Sequence, residues 1–282
     1  MYWKRLLSVL LVVLLVIPCL SGCNQTNTEK SNINTAYFKG EGIWPEKDLG
    51  AYTAPEEATV TVNGVVYTGR YSETTQPLST SPEVFYWYEG NGFRFRIGAD
   101  DGRFYQLSLD TPDVEGCTLD TARGRAIADA IADDYLVLDG YTVRESMWET
   151  TDADHTAHTY SYYRTVNGIE TTDGLSVTLN CHGELDNISL WQPGAFENVK
   201  SAVIDEEKIN HAIENRLRQA CSEIGLQYTR FEIRNTEWYL LKTEEDQCVL
   251  YFSIIYYYLN KEGVESSSSW LSEMMVVVDH EE

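Results

Sequence analysis

The chain has 282 residues, enough for one large domain or two small ones, and 12% of them are aromatic, which excludes a disordered acidic tail. Its 44 acidic and 21 basic residues leave a net charge of −23 at pH 7. A negative excess of this size repels nucleic acid phosphates and anionic lipid headgroups, so we expect no nucleic acid partner. We therefore expect a folded protein whose surface carries the charge.

The N-terminus has the order of residues that marks a protein for export. Lys4 and Arg5 precede an apolar run at 6–20, which is short for a bilayer-spanning helix of about 20 residues. The run ends in a tetrapeptide that resembles the lipobox of bacterial lipoproteins, Leu20-Ser21-Gly22-Cys23. The resemblance implies that 1–22 is a signal peptide and that Cys23 carries a diacylglyceryl group. An ordinary signal peptide or an uncleaved anchor is the alternative.

Lipidation of Cys23 implies that the lipid bilayer is a partner through the N-terminal diacylglyceryl-cysteine, and that the protein sits on the extracytoplasmic face of the cell membrane. Cleavage would remove two basic residues and no acid, which lowers the net charge from −23 to −25. Residues 24–35 are polar and have no apolar period, so we predict a flexible tether over 23–40. A chain of this kind reaches about 20 Å.

Four cysteines remain beyond the anchor: Cys117, Cys181, Cys221 and Cys248. An even number in an exported protein permits two disulfides in any of three connectivities, whereas buried free thiols are the alternative. The spacings between them contain no CxxC motif, which argues against a thiol redox site or a zinc knuckle.

The sequence pattern predicts a region of β-hairpins over residues 41–117. Two β-branched runs at 59–62 and 65–68 flank Asn63-Gly64, a strong hairpin signal. Strands are also predicted at 84–88, 93–97 and 104–109. The basic residues here alternate with aromatic ones, so we predict a sheet with one packed face and one wet, basic face that carries Arg94, Arg96 and Arg103.

The pattern in the rest of the chain predicts one structural unit that occurs in two copies, over 118–195 and 203–282. The first unit has a helix at 118–136 capped by Thr118 and strands at 141–149, 159–166, 174–180 and 184–191. The second has a helix at 205–224 capped by Asp205 and strands at 228–235, 238–242, 248–259 and 271–279. We therefore predict an α+β fold of antiparallel β meanders, each packed by one helix, preceded by a β-rich N-terminal region.

This unit resembles the PepSY domain. The resemblance rests on a helix, an aromatic strand and the segments Val166-Asn167-Gly168-Ile169 and Leu175-Ser176-Val177-Thr178-Leu179-Asn180, with a turn through Gly183. It covers residues 118–191 well and 205–279 less closely. It implies two helix-plus-four-strand units and the binding or restraint of an exported peptidase. No catalytic residue comes with the family, so none is carried over.

Candidate chemistry is sparse. The densest group of potential metal ligands is Asp152, Asp154, His155 and His158, and a solvated polar turn is the alternative reading. Neighbouring acids at Glu206 and Glu207, and at Glu244, Glu245 and Asp246, are read as a helix start and a hairpin tip. We predict no catalytic residue, no cofactor, no metal ligand and no enzymatic activity.

Three functions are compatible with these patterns. The first is a membrane-anchored, non-catalytic binding or regulatory module that accepts an extended exported protein on its uncovered sheet face or on the edge of the strand at 248–259. The second is a carbohydrate or cell-wall binding lipoprotein, because the chain offers aromatic platforms at Trp87, Trp148, Trp191, Trp238 and Trp270. The third is a metal-dependent hydrolase at His155 and His158.

Overall fold

The computed structural model describes residues 35–39, 41, 44, 46–77, 83–111, 119–149, 156–234, 238–243, 245–268 and 272–282. Strands make up 51% of this part and helices 15%. Several predictions lie outside the described residues. These are the signal segment with Cys23, most of the tether, Cys117, Thr118, Asp152, Asp154, His155, Glu244 and Trp270.

The order of the elements follows the chain from residue 36. The strands are β1 (Ala36–Phe38), β2 (Glu57–Val62), β3 (Val65–Thr75), β4 (Phe85–Gly90), β5 (Phe93–Gly98), β6 (Phe104–Leu109), β7 (Tyr141–Glu149), β8 (Thr156–Val166), β9 (Ile169–Leu179), β10 (Leu185–Trp191), β11 (Ser201–Ala202), β12 (Gln227–Ile233), β13 (Tyr239–Lys242), β14 (Cys248–Leu259), β15 (Glu265–Ser267), β16 (Ser272–Val278) and β17 (His280–Glu281). The helices are α1 (Thr121–Ala132) and α2 (Glu206–Glu223), with a short 3₁₀ helix at Leu49–Ala51.

Fifteen of these strands form one sheet, whose main path runs β1-β16-β14-β13-β9-β10-β6-β5-β4-β3-β2. β8 pairs with β9 and with β7, while β12 and β15 pair with β14. The pairing of β13 with β9 is parallel, and the other described pairs of this sheet are antiparallel. β11 and β17 form a separate two-stranded sheet.

The predicted α+β fold class is wrong. The described residues are mostly β and lie in one large mixed sheet, rather than in repeated helix-plus-strand units. β13 and β9 pair through Tyr239 opposite Glu170, and this contact joins the strands after α2 to those after α1. β12 and β13 both pair with β14, so the second half does not continue as a meander. Local periodicity carries no information about such long-range pairing.

The prediction of an exposed edge at 248–259 is also wrong. β14 pairs with β16 and β15, and it also pairs with β13 and β12. Its first seven residues are buried. A strand with partners on both sides has no free row of backbone groups for a partner segment.

Tight turns place the strands where the sequence predicts them. Asn63 and Gly64 have φ angles of 49° and 75°, and Asn167 and Gly168 have φ angles of 53° and 77°. Positive φ at both central residues is the geometry of a two-residue hairpin turn that matches the twist of the strands. The predicted strand at 141–149 coincides with β7.

The helix starts are set by aspartates. Asp205 caps α2 as predicted and accepts a hydrogen bond from the Lys208 amide, whereas α1 is capped by Asp120 and not by the predicted Thr118. α1 packs against β8 and β9, and α2 packs against β12, β1 and β16. Within the described ranges, neither helix has the length and hydropathy that a membrane span requires.

The three described cysteines, Cys181, Cys221 and Cys248, are buried. Cys221 and Cys248 form no disulfide, so of the two alternatives the free thiol holds for these two. Burial raises the pKa of Cys221, and burial raises the pKa of Cys248 to about 11. These two thiols are therefore protonated at neutral pH and behave as small apolar core residues.

Candidate functional site

A row of polar side chains crosses the sheet on the face opposite α1. The neighbours of these residues, such as Tyr160, Val177 and Ile188, are buried in the core beneath α1. Alternation along each strand therefore sends the intervening residues to the other face. We call this the polar row, and its members lie opposite one another on six adjacent strands, β8, β9, β10, β6, β5 and β4: Ser161, Ser176, Ser189, Gln106, Arg96 and Trp87.

The polar row is long and its hydroxyls are unused. Six strands at the usual spacing span about 24 Å. Ser161, Ser176 and Ser189 form no hydrogen bond through their side chains with another residue in the described ranges. Ser176 is the most buried of the three, at 7% exposure. Each hydroxyl is a donor and an acceptor, so the row offers both to a ligand.

The next row on the same face is satisfied within the protein. The hydroxyls of Thr159 and Thr178 are 3.0 Å apart, and Asn187 Nδ2 donates to Ser108 Oγ at 2.7 Å. In the polar row, Gln106 Nε2 donates to Ser108 Oγ at 3.3 Å and Trp87 Nε1 donates to Thr75 Oγ1 at 3.0 Å, so its unused groups are the three serine hydroxyls.

Two arginines of this face have different surroundings. Arg94 forms ion pairs with Glu73 and Glu89 and lies 4.1 Å from the centre of the Trp87 ring. Arg96 lies 4.4 Å from the centre of the Phe85 ring. It forms no hydrogen bond or ion pair with a residue in the described part of the chain, and its Nε is buried. Burial lowers the pKa of Arg96, with the charge of Glu83 acting in the opposite direction.

The predicted basic face is therefore correct for Arg94 and Arg96 but not for Arg103. Arg103 lies in the turn before β6, where its Nη1 donates to the carbonyl of Pro193 at 3.0 Å. It lines a cleft of ≈ 380 Å³ together with Lys47, Glu83, Asp100, Tyr105 and Lys242. Glu83 and Tyr105 are also the groups whose charges act on Arg96, so the cleft adjoins the row at β5.

A buried carboxylate fixes the strands that carry the row. Asp173 is 0% exposed and accepts hydrogen bonds from Tyr141 Oη at 2.6 Å and Arg164 Nε at 3.2 Å. It also accepts from the backbone amides of Gly194 at 2.9 Å and Phe196 at 3.1 Å. Burial and the bond to Asp173 raise the pKa of Tyr141 to about 12. β7, β8, β9 and the loop after β10 are thus tied at one point.

Of the four residues in the candidate metal-binding turn, only His158 lies within the described part of the chain. His158 is 9% exposed and lies in β8 opposite Leu179, on the core side of the sheet. A different group of potential ligands meets near the start of β14, where the donor atoms of Asp246, His280 and Glu282 lie within 4.8 Å of one another. Lys242 forms an ion pair with Asp246 there, and its hydrogen bond lowers the pKa of Asp246 while burial opposes the shift. The lysine thus partly neutralises these acids.

The tryptophans predicted as aromatic platforms differ in their position in the fold and in their exposure. Trp87 is half-buried in the polar row, and Trp191 is 39% exposed at the end of β10. Trp238 is half-buried and its ring centre lies 6.0 Å from that of Phe252 in the core. Trp148 lies in β7, and its side chain is outside the described part. Glu206 and Glu207 lie in the first turn of α2 as predicted, and Glu245 and Asp246 lie between β13 and β14.

Sequence reasoning missed the polar row and Asp173. The signal for the row was present, because Ser161, Ser176 and Ser189 each stand between two apolar residues in a predicted strand. The signal for Asp173 was the Asp173-Gly174 pair inside a strand pattern, which is typical of a bulge. No protein-family model, no curated protein and no solved structure matches the chain.

Proposed function

We propose that this chain is a lipid-anchored protein of the extracytoplasmic membrane face that binds an extended glycan along the polar row. The observation that carries the proposal is the line of three unused serine hydroxyls on the adjacent strands β8, β9 and β10, which Gln106 and Arg96 continue across β6 and β5 to Trp87 on β4. Sugar chains present hydroxyls on a flat outline and stack on aromatic rings. The row matches both properties.

The chemistry of the row suits binding rather than cleavage. A serine hydroxyl is a weak nucleophile unless a base lies within hydrogen-bond reach. The hydroxyls of Ser161, Ser176 and Ser189 have no such partner among the described residues. The lipobox at 20–23 supports the location, since it implies anchoring outside the cell.

The other two functions stay predictions. An exported peptidase as partner follows from the PepSY resemblance, and a metal-dependent hydrolase follows from His155 and His158. We favour a glycan as the ligand because the polar row is a defined surface whose serine hydroxyls can form hydrogen bonds with sugars.

We predict that the change Cys23→Ser releases the protein from the membrane or stalls its processing, because a serine hydroxyl does not accept the thioether-linked lipid. The measurement is incorporation of a labelled fatty acid, followed by membrane fractionation. The matched control is Cys181→Ser, which leaves the anchor intact. Unchanged labelling of the Cys23 variant would refute the lipoprotein assignment.

We predict that Ser176→Ala and Ser189→Ala each weaken glycan binding roughly 5-fold, since a hydrogen bond contributes about 1 kcal/mol. The full chain, purified in detergent, is tested by calorimetry and by retention on immobilised cell-wall glycan and a panel of soluble oligosaccharides. Ser222→Ala changes an exposed serine next to the end of α2 and serves as the control. Failure of the unmodified protein to bind any glycan would reject the proposed function.

A further inference from the structure

Arg96 differs from the other arginines on this face in forming no hydrogen bond or ion pair with a described residue, although the charge of Glu83 acts on it. Arg94 is paired with Glu73 and Glu89, and Arg144 Nη1 lies 3.1 Å from Glu170 Oε1. Arg96 has ring contacts with Phe85 and Trp87 and no ion pair within the described ranges. Among these three arginines, Arg96 is therefore the one whose guanidinium is in direct contact with no described carboxylate.

The Nε atom of Arg96 is buried and has no hydrogen-bond acceptor among the described residues. A buried N–H group that stays unsatisfied is unfavourable in the unliganded protein. A ligand oxygen that reaches Arg96 removes this cost, and a negative charge on that oxygen strengthens the hydrogen bond. The site is thus prepared for an anion.

The neighbours of Arg96 indicate what surrounds this anion. Gln106 lies opposite Arg96 in the row and Ser189 lies opposite Gln106, so the cation is followed by an amide and then by hydroxyls. These groups are uncharged, and they suit a ligand with one negative group among many hydroxyls. Polymers with a charge on every unit, such as polyphosphates, need several unpaired cations and are repelled by a chain of net charge −23.

We propose that the polar row binds an acidic glycan and that Arg96 binds its carboxylate. This inference rests on the proposed glycan binding and names the chemical class of the ligand. The planar guanidinium matches the two oxygens of a carboxylate. The centre of the Trp87 ring lies 5.4 Å from the guanidinium of Arg96, so the indole borders the place where this carboxylate would bind.

The test compares one oligosaccharide in two forms. The full chain in detergent is titrated with an oligosaccharide that carries one glucuronate among neutral sugars, and with the same oligosaccharide after reduction of its carboxylate to an alcohol. We expect the acidic form to bind about 10- to 100-fold more tightly, the range for a hydrogen bond to a charged group. Arg96→Gln should lower the affinity for the acidic form to that for the reduced form. The affinity for the reduced form should stay unchanged.

Two further variants test whether binding needs the planar guanidinium of Arg96 or only a positive charge on the protein. Arg123→Gln removes the same charge from an exposed position on α1, the helix that packs on the opposite sheet face, and should change neither affinity. Arg96→Lys keeps the charge without the planar fork and should bind the acidic form with intermediate affinity. Thermal unfolding of each variant checks that the fold is intact.

The outcomes are distinct. Equal binding of the two forms by the unmodified protein overturns the carboxylate inference and leaves glycan binding standing. Tighter binding of a soluble polyphosphate than of the acidic oligosaccharide also overturns the inference. Absence of binding to both forms, together with absence of binding to neutral glycans, overturns the proposed function as well.

Discussion

Replacing Asp173 with alanine is expected to lower the free energy of unfolding by about 3–5 kcal/mol, the cost of breaking a buried ion pair on one side. The carboxylate is 0% exposed and accepts four hydrogen bonds, from Tyr141, Arg164, Gly194 and Phe196. Its loss leaves the Arg164 guanidinium and two backbone amides without an acceptor. Urea unfolding followed by tyrosine and tryptophan fluorescence measures the change.

The matched variants for Asp173 test whether the charge or the shape matters. Asp173→Asn keeps the shape and one acceptor oxygen, so we expect it to lose less than the alanine variant. Asp139→Ala removes an exposed carboxylate in the turn before β7 and should change stability by less than about 0.5 kcal/mol. A loss of less than about 1 kcal/mol for Asp173→Ala would contradict the anchoring role, since it would equal one ordinary hydrogen bond.

Replacing Gly174 with alanine is expected to destabilise the protein by about 3 kcal/mol or more, at the upper end of overpacking costs. A Cβ at this position would lie 2.1 Å from the carbonyl oxygen of Tyr162 and 3.1 Å from its carbonyl carbon. Both atoms belong to the backbone of β8, so the clash cannot be relieved by rotating a side chain. Thermal unfolding and the yield of soluble protein measure the effect.

Gly50→Ala is the control for this change. A Cβ at Gly50 would meet Asp48 Oδ1 at 3.2 Å, and a flexible exposed carboxylate can move away. We expect less than about 0.5 kcal/mol for this variant. Equal stability of Gly174→Ala and the unmodified chain would mean that β8 and β9 are not paired at this bulge as described.

The positions of the secondary structure elements could be predicted because they depend on local signals. Asn63-Gly64 and Asn167-Gly168 mark hairpins, and Asp205 marks a helix start. Each signal acts within a few residues. The assembly depends instead on which strands are neighbours, such as β13 beside β9 and β10 beside β6. These pairs join residues far apart in the chain, and the apparent repeat favoured a repeated helix-plus-strand unit that the described part of the chain does not show.

The same distinction applies to the candidate site. Alternation in the sequence predicts that Ser161, Ser176 and Ser189 share the polar face of their strands. Their alignment with Gln106 and Arg96 follows from the pairing of β10 with β6. No local sequence pattern predicts this pairing. The unpaired state of Arg96 depends on which residues surround it in space, since Glu73 and Glu89 lie nearer to Arg94.

Strands with one open edge decide whether two copies of a chain can join their sheets. Among the described strands, β1, β2, β7, β12 and β15 each pair with one other strand. β7 carries Arg144 and Glu145, and β2 begins at Glu57, so the edges of these two strands bear charges that oppose pairing with another copy. The net charge of −23 adds repulsion between whole molecules. The edges of β2 and β7 therefore resist edge-to-edge pairing between copies of the chain, even at high protein concentration.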